Sequence, residues 1–299
     1  MNIFLLYAGT VLIWGSTWLV IKYQLGLVAP EVSVTYRFAL AAAILLVYCF
    51  ATSKRMRYGL RDHLGMAALG LFLFSANYFV FYLATYDLTT GLIAVVFSGI
   101  VVTNIIFGAL FLGNPIRPRV ALGAAFGIAG LALVFLPEIL TFDLANKGSR
   151  GLLLSVAGTL LASVGNMASA SNQRRGLPVV QANAYGMTYG TIFMFAFALI
   201  GGSHFNFDSA PLYVGSLLYL AVFGSVFGFG CYLTLIGRIG PDKAAYATVL
   251  FPLIALALST VFEGYQWSGE AIVGMVLVLF GNVLVLSRKR SQITVEASA

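Results

Sequence analysis

Two histidines and two cysteines, with ten carboxylates, are all that this 299-residue chain offers to acid–base, nucleophilic or metal chemistry. The topology argued below puts His63 and His204 on opposite faces, so no single helix carries a His-x-x-x-His metal pair or a Ser-His dyad. No G-x-S-x-G, Walker A or dinucleotide fingerprint occurs, so the sequence predicts no enzyme, no metal and no cofactor. ATP-driven work would need a partner chain, and none is expected. Cys49 and Cys231 lie in apolar runs and read as small buried hydrophobes.

The residues left are amides, hydroxyls and rings inside apolar stretches, and their chemistry is binding. Trp14 and Trp18 stand four apart on one helical face, Trp18 one turn from Lys22, where an interfacial position competes with a site position. Asn77, Tyr78 and Tyr82 follow further on, the two tyrosines stacked at i, i+4. Ser98, Thr103 and Asn104 form a third group, in which Asn104 is favoured because Ser and Thr often bond their own backbone. Asn166, Tyr189, Tyr232 and Tyr246 come from the second half of the chain. Intramembrane polar groups usually face the bundle interior, and tyrosine adds ring area with a polar tip. Trp14, Asn77, Tyr78, Tyr82, Ser98, Asn166, Tyr189, Tyr232 and Tyr246 are therefore the candidate substrate-binding residues. Arg37 is the one formal charge inside an apolar run. Snorkelling, or pairing with Glu31, Asp87 or Glu263, is expected of it ahead of a gating or substrate-holding role.

The elements that position these residues are membrane helices. With 60% hydrophobic and 9% charged residues, the chain has too few polar groups to cover a water-soluble globule. Apolar runs of about 18–22 residues recur, each long enough to cross a ~30 Å hydrocarbon core. The period-two segments of a β-barrel do not appear. The runs predict spans at Ile3–Ile21, Ser33–Ala51, His63–Ala84, Gly91–Leu112 and Arg119–Leu136, then Gly151–Ser171, Gln181–Gly201, Pro211–Ile236, Asp242–Phe262 and Gly269–Ser287. The first has neither a basic n-region nor an A-x-A-like exit, and is expected to be retained.

The stretch from Gly91 to Phe135 is written twice. Laid over Asp242 to Leu286, it places Gly113 on Gly264, Gly123 on Gly274 and Gly130 on Gly281. The fold expected is an all-α membrane protein of ten transmembrane helices, five in residues 1–137 and five in 150–290, with a tail at 291–299. Five spans per half force the second half to enter from the opposite side, giving inverted repeats around a central cavity. Lys54, Arg55, Arg57, Arg61, Arg117, Arg119, Arg174, Arg175, Arg238, Lys243, Arg288, Lys289 and Arg290 fall in even-numbered loops or the tail, against Lys22, Lys147 and Arg150 in odd ones. Both termini should face the cytoplasm, and the net charge of +7 reads as a topology signal, not a nucleic-acid footprint.

Trp14-Gly15-Ser16-Thr17-Trp18, Arg37-Phe38 and the two repeats resemble the drug/metabolite transporter superfamily, in its ten-helix EamA-like branch, and within it the bacterial exporters of aromatic and other amino acids. The departures are Val101 where the family often has a mid-helix proline, kept here as Pro252, and Asn114 and Tyr265 in place of an acidic residue. The resemblance implies a multi-pass protein of the bacterial cytoplasmic (inner) membrane, with a small-molecule substrate and the lipid bilayer as its partners. The function expected is a secondary carrier of amino acids, aromatic ones included, or similar small metabolites, working by alternating access. A proton-coupled exporter of organic cations is the alternative, but it should carry a carboxylate deep in a span, and none is placed there. A lipid translocase is a third reading, marked by a lateral opening. Proton coupling is not expected.

The charge map makes the topology testable. In a background without Cys49 and Cys231, a cysteine at Asn146 should react with an impermeant maleimide outside intact cells, and one at Ser291 should not. The reverse pattern would overturn the orientation.

Overall fold

The computed structural model describes residues 2–113, 118–136, 140, 146–232 and 246–286, and among these every regular element is a helix. In chain order they are α1 (Ile3–Lys22), α2 (Pro30–Ala51), α3 (Leu60–Ala84), α4 (Thr90–Leu112), α5 (Pro118–Val134), α6 (Lys147–Arg174), α7 (Val179–Ile200), α8 (Pro211–Tyr232), α9 (Tyr246–Phe262) and α10 (Gly269–Leu286). α1 to α4 and α6 to α8 are long and apolar enough to cross a membrane; α5, α9 and α10 carry shorter apolar helices in their described parts. The tail at 291–299 lies outside the described residues, as do Arg117, Arg238, Lys243, Glu138, Asp143 and Asp242.

Helix boundaries follow from local chemistry. Asn2 accepts the Phe4 amide at 3.1 Å and Asn146 accepts the Gly148 amide at 2.8 Å, each supplying the acceptor that the open end of a helix lacks. Pro30 and Pro211 open α2 and α8, where a missing N–H is harmless. Gly113 and Gly264, equivalent in the sequence repeat, close α4 and follow α9 in the left-handed region at φ 69° and 68°. Inside the helices, hydroxyls turn back on their own backbone, as Thr10 does on the Leu6 carbonyl and Ser155 on that of Gly151.

Among the described residues π-helical segments occur in the third and eighth helices, over Phe72–Ala76 in α3 and Leu220–Phe227 in α8, and α4 is interrupted by a turn at Gly99. A π segment carries one extra residue, so the side chains before and after it face differently than a straight helix would allow.

The packing runs in reciprocal pairs. α2 lies against α7, α4 against α9 and α5 against α10; the contact of α1 with α9 is answered by that of α6 with α4, and α3 with α7 by α8 with α2. α5 and α10 meet backbone to backbone. A Cβ on Gly130 would stand 2.5 Å from the Gly274 carbonyl oxygen, and one on Gly281 would stand 2.5 Å from that of Gly123. The repeated glycines thus meet crosswise, Gly130 on the repeat equivalent of Gly123 and Gly123 on the repeat equivalent of Gly130, and bare backbones touch where any side chain would hold them apart. This explains why α5 and α10 carry so few polar residues: their work is to hold one another.

Gly130→Val should therefore lower thermal stability by about 1–3 kcal/mol, the usual cost of overpacking. Gly215→Ala, at a position with no atom within 4 Å of the new Cβ, should leave it unchanged or slightly raised. Unfolding of the purified protein in detergent compares the two.

Candidate substrate cavity

One helical face from each of several elements borders a common space. Trp14, Trp18 and Ile21 from α1, Phe97, Ile100 and Asn104 from α4, and Ala162 and Asn166 from α6 all repeat at helical spacing; α3 adds Leu73, Asn77, Tyr78 and Phe81. Phe229 and Tyr232 come from α8, Phe251 from α9, and the cavity they enclose with Thr17 is about 110 Å³. None of these residues carries a formal charge.

The rings interlock at right angles. Trp14 stands edge-on to Phe229 at 5.0 Å and to Phe251 at 5.5 Å, and Trp18 edge-on to Phe81 at 5.2 Å, the offset arrangement that aromatic quadrupoles favour. The Trp14 indole N–H donates to the Gly224 carbonyl at 3.0 Å, locking that ring to α8. Opposite this wall sits an amide cluster: Asn104 Oδ1 accepts from Ser163 at 2.8 Å and from Asn166 Nδ2 at 3.2 Å. Asn77 Oδ1 is buried with no hydrogen-bond partner, an acceptor left over at the cavity wall.

Five of the nine candidate residues meet here: Trp14, Asn77, Tyr78, Asn166 and Tyr232. Three of the others, Tyr82, Ser98 and Tyr189, fall elsewhere. Tyr82 has no exposed surface and points away from the cavity's lining. Ser98 is buried and donates to the Val95 carbonyl at 2.6 Å, spending its hydroxyl on its own helix. The Tyr189 hydroxyl bonds His63 Nδ1 at 2.9 Å near the start of α3, and Tyr185 beside it donates to the Met56 carbonyl at 2.6 Å. Tyr246 opens α9, but its side chain lies outside the described residues. Trp18, which could have sat at the interface, is 8% exposed and belongs to the wall. Phe81, Phe97, Phe229 and Phe251 were hidden among 24 phenylalanines. The one available signal was spacing, since Phe97, Ile100 and Asn104 stand at i, i+3 and i+7.

Arg37 neither snorkels nor pairs with an acid. It is 1% exposed, and all three expected partners are engaged elsewhere: Glu31 accepts from Ser203, Asp87 is bidentate with Arg150 at 2.7 and 2.8 Å, and Glu263 pairs with Lys22 at 3.1 Å. A side chain rooted two turns inside α2 and held against Tyr78 of α3 and Ser225 of α8 does not extend to the helix end.

The Ile21 end of the cavity lies beside the most connected polar cluster. The Glu263 side chain, 1% exposed, accepts from the Thr90 amide at 2.9 Å, the Thr90 hydroxyl at 2.6 Å and the Ser259 hydroxyl. The Gly91 amide donates to Ser259 at 2.7 Å. A carboxylate thus sits on the positive end of α4 while bridging α1 and α9. Burial pushes the Glu263 carboxyl up, but the hydrogen bonds from Ser259, Thr90 and Lys22 and the Thr90 amide together outweigh it and hold it below its ordinary 4.5.

A second cavity, of about 250 Å³, lies on the far face of α4 between α5, α6 and α10. Leu131, Ile128, Ile106 and Leu160 make it apolar, and it shares no lining residue with the first.

Apolar helices around an uncharged cavity, walled by rings on one side and amides on the other, define a polytopic membrane protein of the solute-transporter type. The chain belongs to the EamA-like transporter family, whose model matches residues 1–136 and 149–287. Its relatives include the protein PagO of Salmonella typhimurium, 23% identical over 98% of this chain and 95% of that one. The uncharacterized inner membrane transporter YedA of Escherichia coli K12 is 27% identical over 92% of this chain and 87% of its own. The uncharacterized transporter YyaM of Bacillus subtilis is 24% identical over 94% and 92%. A solved crystal structure 17% identical in sequence superposes with a TM-score of 0.68 over 94% of each chain, a likeness of fold.

A lowered carboxyl pKa contributes stability above the unfolded value and loses it as pH falls through the folded one. Wild type should therefore be more thermostable than Glu263→Gln at neutral pH, and the gap should close between about pH 5 and pH 3. A gap independent of pH in thermal unfolding would remove the ionised carboxylate from this cluster.

Proposed function

We propose that the protein is a secondary carrier, moving amino acids with apolar or aromatic side chains, or small metabolites of similar shape, across the bacterial inner membrane. The observation that carries this reading is the cavity's division of labour. Edge-on rings offer a slot for a flat apolar body, and Asn77, Asn104 and Asn166 offer donors and acceptors for the polar end of an amphiphile. Without a carboxylate among its lining residues, the cavity suits a zwitterion better than an organic cation. The apolar side cavity and the central one share no residue, which weighs against a lipid path leading from the bilayer into the site.

Alternating access is supported by the reciprocity of the packing. Exchanging each helix for the one five places on carries α2–α7, α4–α9 and α5–α10 onto themselves, α1–α9 onto α6–α4 and α3–α7 onto α8–α2, and the α5–α10 glycines cross antiparallel in the manner of a two-fold axis lying in the membrane plane. On this reading all ten helices span the bilayer, residues 1–137 and 150–290 are inverted repeats, both termini are cytoplasmic, and the two family-matched stretches correspond to the halves. Substrate runs down its own gradient as an exporter or facilitator. Every lining residue is uncharged, leaving no midplane group to carry a proton. No ATPase partner is required.

Two measurements on proteoliposomes test this. With equal labelled phenylalanine on both sides and voltage clamped, imposing a pH gradient should produce no accumulation; accumulation would establish coupling. Asn104→Leu, which strips the shared acceptor from Ser163 and Asn166, should cut uptake by roughly tenfold or more, the equivalent of about 1–3 kcal/mol. Unchanged uptake would take the amide cluster out of the site.

A further inference from the structure

Arg37 is the only buried cation among the described residues, and its surroundings answer its charge with almost nothing. Its Nε donates to the Ser225 hydroxyl at 3.2 Å, and its guanidinium lies 4.4 Å from the centre of the Tyr78 ring and 5.2 Å from that of Phe38. Nη1 is buried with no hydrogen-bond partner, and Arg37 is in none of the ion pairs of the described residues. The buried Tyr82 hydroxyl lies against the guanidinium as a second neutral oxygen, which leaves the positive charge itself unpaired. A guanidinium keeps its charge and presents a planar fork of donors, so an unfilled fork inside a membrane protein is a costly arrangement unless something fills it.

It lies one layer from the cavity. Tyr78, against which the guanidinium rests, lines that space, as does Thr17. At Gly224 an added Cβ would stand 3.0 Å from Thr17 Cγ2 and 3.3 Å from Arg37 Nη2, so only the missing side chain keeps the guanidinium and the lining residue from being walled apart. Both π segments converge here as well. Gly224 and Ser225 belong to the one in α8, and Asn77 and Tyr78 follow directly on the one in α3. Such bulges cost helix regularity and recur at functional sites.

We infer that Arg37 is a carboxylate-binding subsite opening off the central cavity past Tyr78, and that it selects substrates bearing a carboxylate over neutral or cationic analogues. The inference rests on the carrier reading and narrows its substrate class. The carboxylate takes the free Nη1 and Nη2 donors of Arg37, Asn77 Oδ1 is left to accept from the substrate's ammonium, and the apolar body stays among Trp14, Trp18 and the phenylalanines. Ser225 acts as a positioning residue, fixing the fork through Nε.

The test uses the purified full chain and a pair of probes alike in their apolar part and opposite in charge, 3-phenylpropionate and phenethylamine. Binding is read from the fluorescence of Trp14 and Trp18 in a Trp267→Phe background. The wild-type cavity should bind the carboxylate at least tenfold more tightly than the amine. Arg37→Gln should abolish that ratio while leaving the thermal midpoint equal or higher, because the variant removes an unpaired buried charge. Arg37→Lys, which keeps charge without the fork, should retain a reduced preference. Equal binding of the two probes, tighter binding of the amine, no binding of either, or an unchanged ratio in Arg37→Gln would each overturn the subsite. Uptake of labelled amino acids by proteoliposomes is scored separately: carboxylate preference without any amino acid transport would keep the subsite and sink the carrier reading, and the opposite pair of results would do the reverse.

Discussion

Hydrocarbon gives a polar atom no partner, and this one constraint orders the rest of the molecule. Backbone groups are closed off within helices, and hydroxyls such as Thr10, Ser98 and Ser155 return their protons to carbonyls one turn back. Side chains too polar for that, the amides of Asn77, Asn104 and Asn166, turn inward and create the cavity wall. Charges are moved to helix ends, where Glu263 and Asp87 find cations and amides. Among the described residues Arg37 alone is a cation held inside, without an acid to pair with.

Much of this was legible in the sequence because membrane helices announce themselves by length and composition, and because an amide in an apolar run has few places to point. Asn77 and Asn166 were readable on that ground, and the repeated glycines on the ground of their register. What escaped was whatever depends on a neighbour from a distant part of the chain. Nothing near Glu263 in sequence tells that Thr90 and Lys22 converge on it. Tyr189 looks like a cavity residue until His63 is seen beside it, and Tyr82 is indistinguishable from Tyr78 until their neighbours are known, Tyr78 bordering the cavity and Tyr82 buried one turn beyond it. Ser98 and Asn104 differ only in reach: a hydroxyl is short enough to satisfy itself locally, and a carboxamide is not. Charge pairing was misjudged for the same reason, since Arg37 was matched to acids by proximity to the helix ends, without the knowledge that each was already engaged.

The bundle combines two kinds of contact with different mechanical character. Between α5 and α10 the backbones meet directly, Gly130 on Gly274 and Gly123 on Gly281, without a polar side chain in between. Such a seam transmits force and does not slide, because packed backbones have no alternative arrangement of similar energy. Around the cavity the helices instead meet through rings and through discrete hydrogen bonds, which can be exchanged for bonds to water or solute at small net cost. Of the polar clusters, the one centred on Glu263 joins three helices, α1, α4 and α9.

The π segments of α3 and α8 bear on how such chains diverge. A π turn is a helix that has absorbed one residue, and one residue is about 100° of helical rotation. Deleting a single residue within Phe72–Ala76 would restore a straight helix and leave the Asn77 and Tyr78 side chains facing the cavity, because the wide turn already takes up that residue, whereas the same deletion in a regular stretch would swing everything beyond it by that angle. A one-residue gap at this point of a membrane span, which an alignment would usually treat as an error, is for this architecture a legitimate evolutionary step, and one that keeps the residues a cavity presents in place.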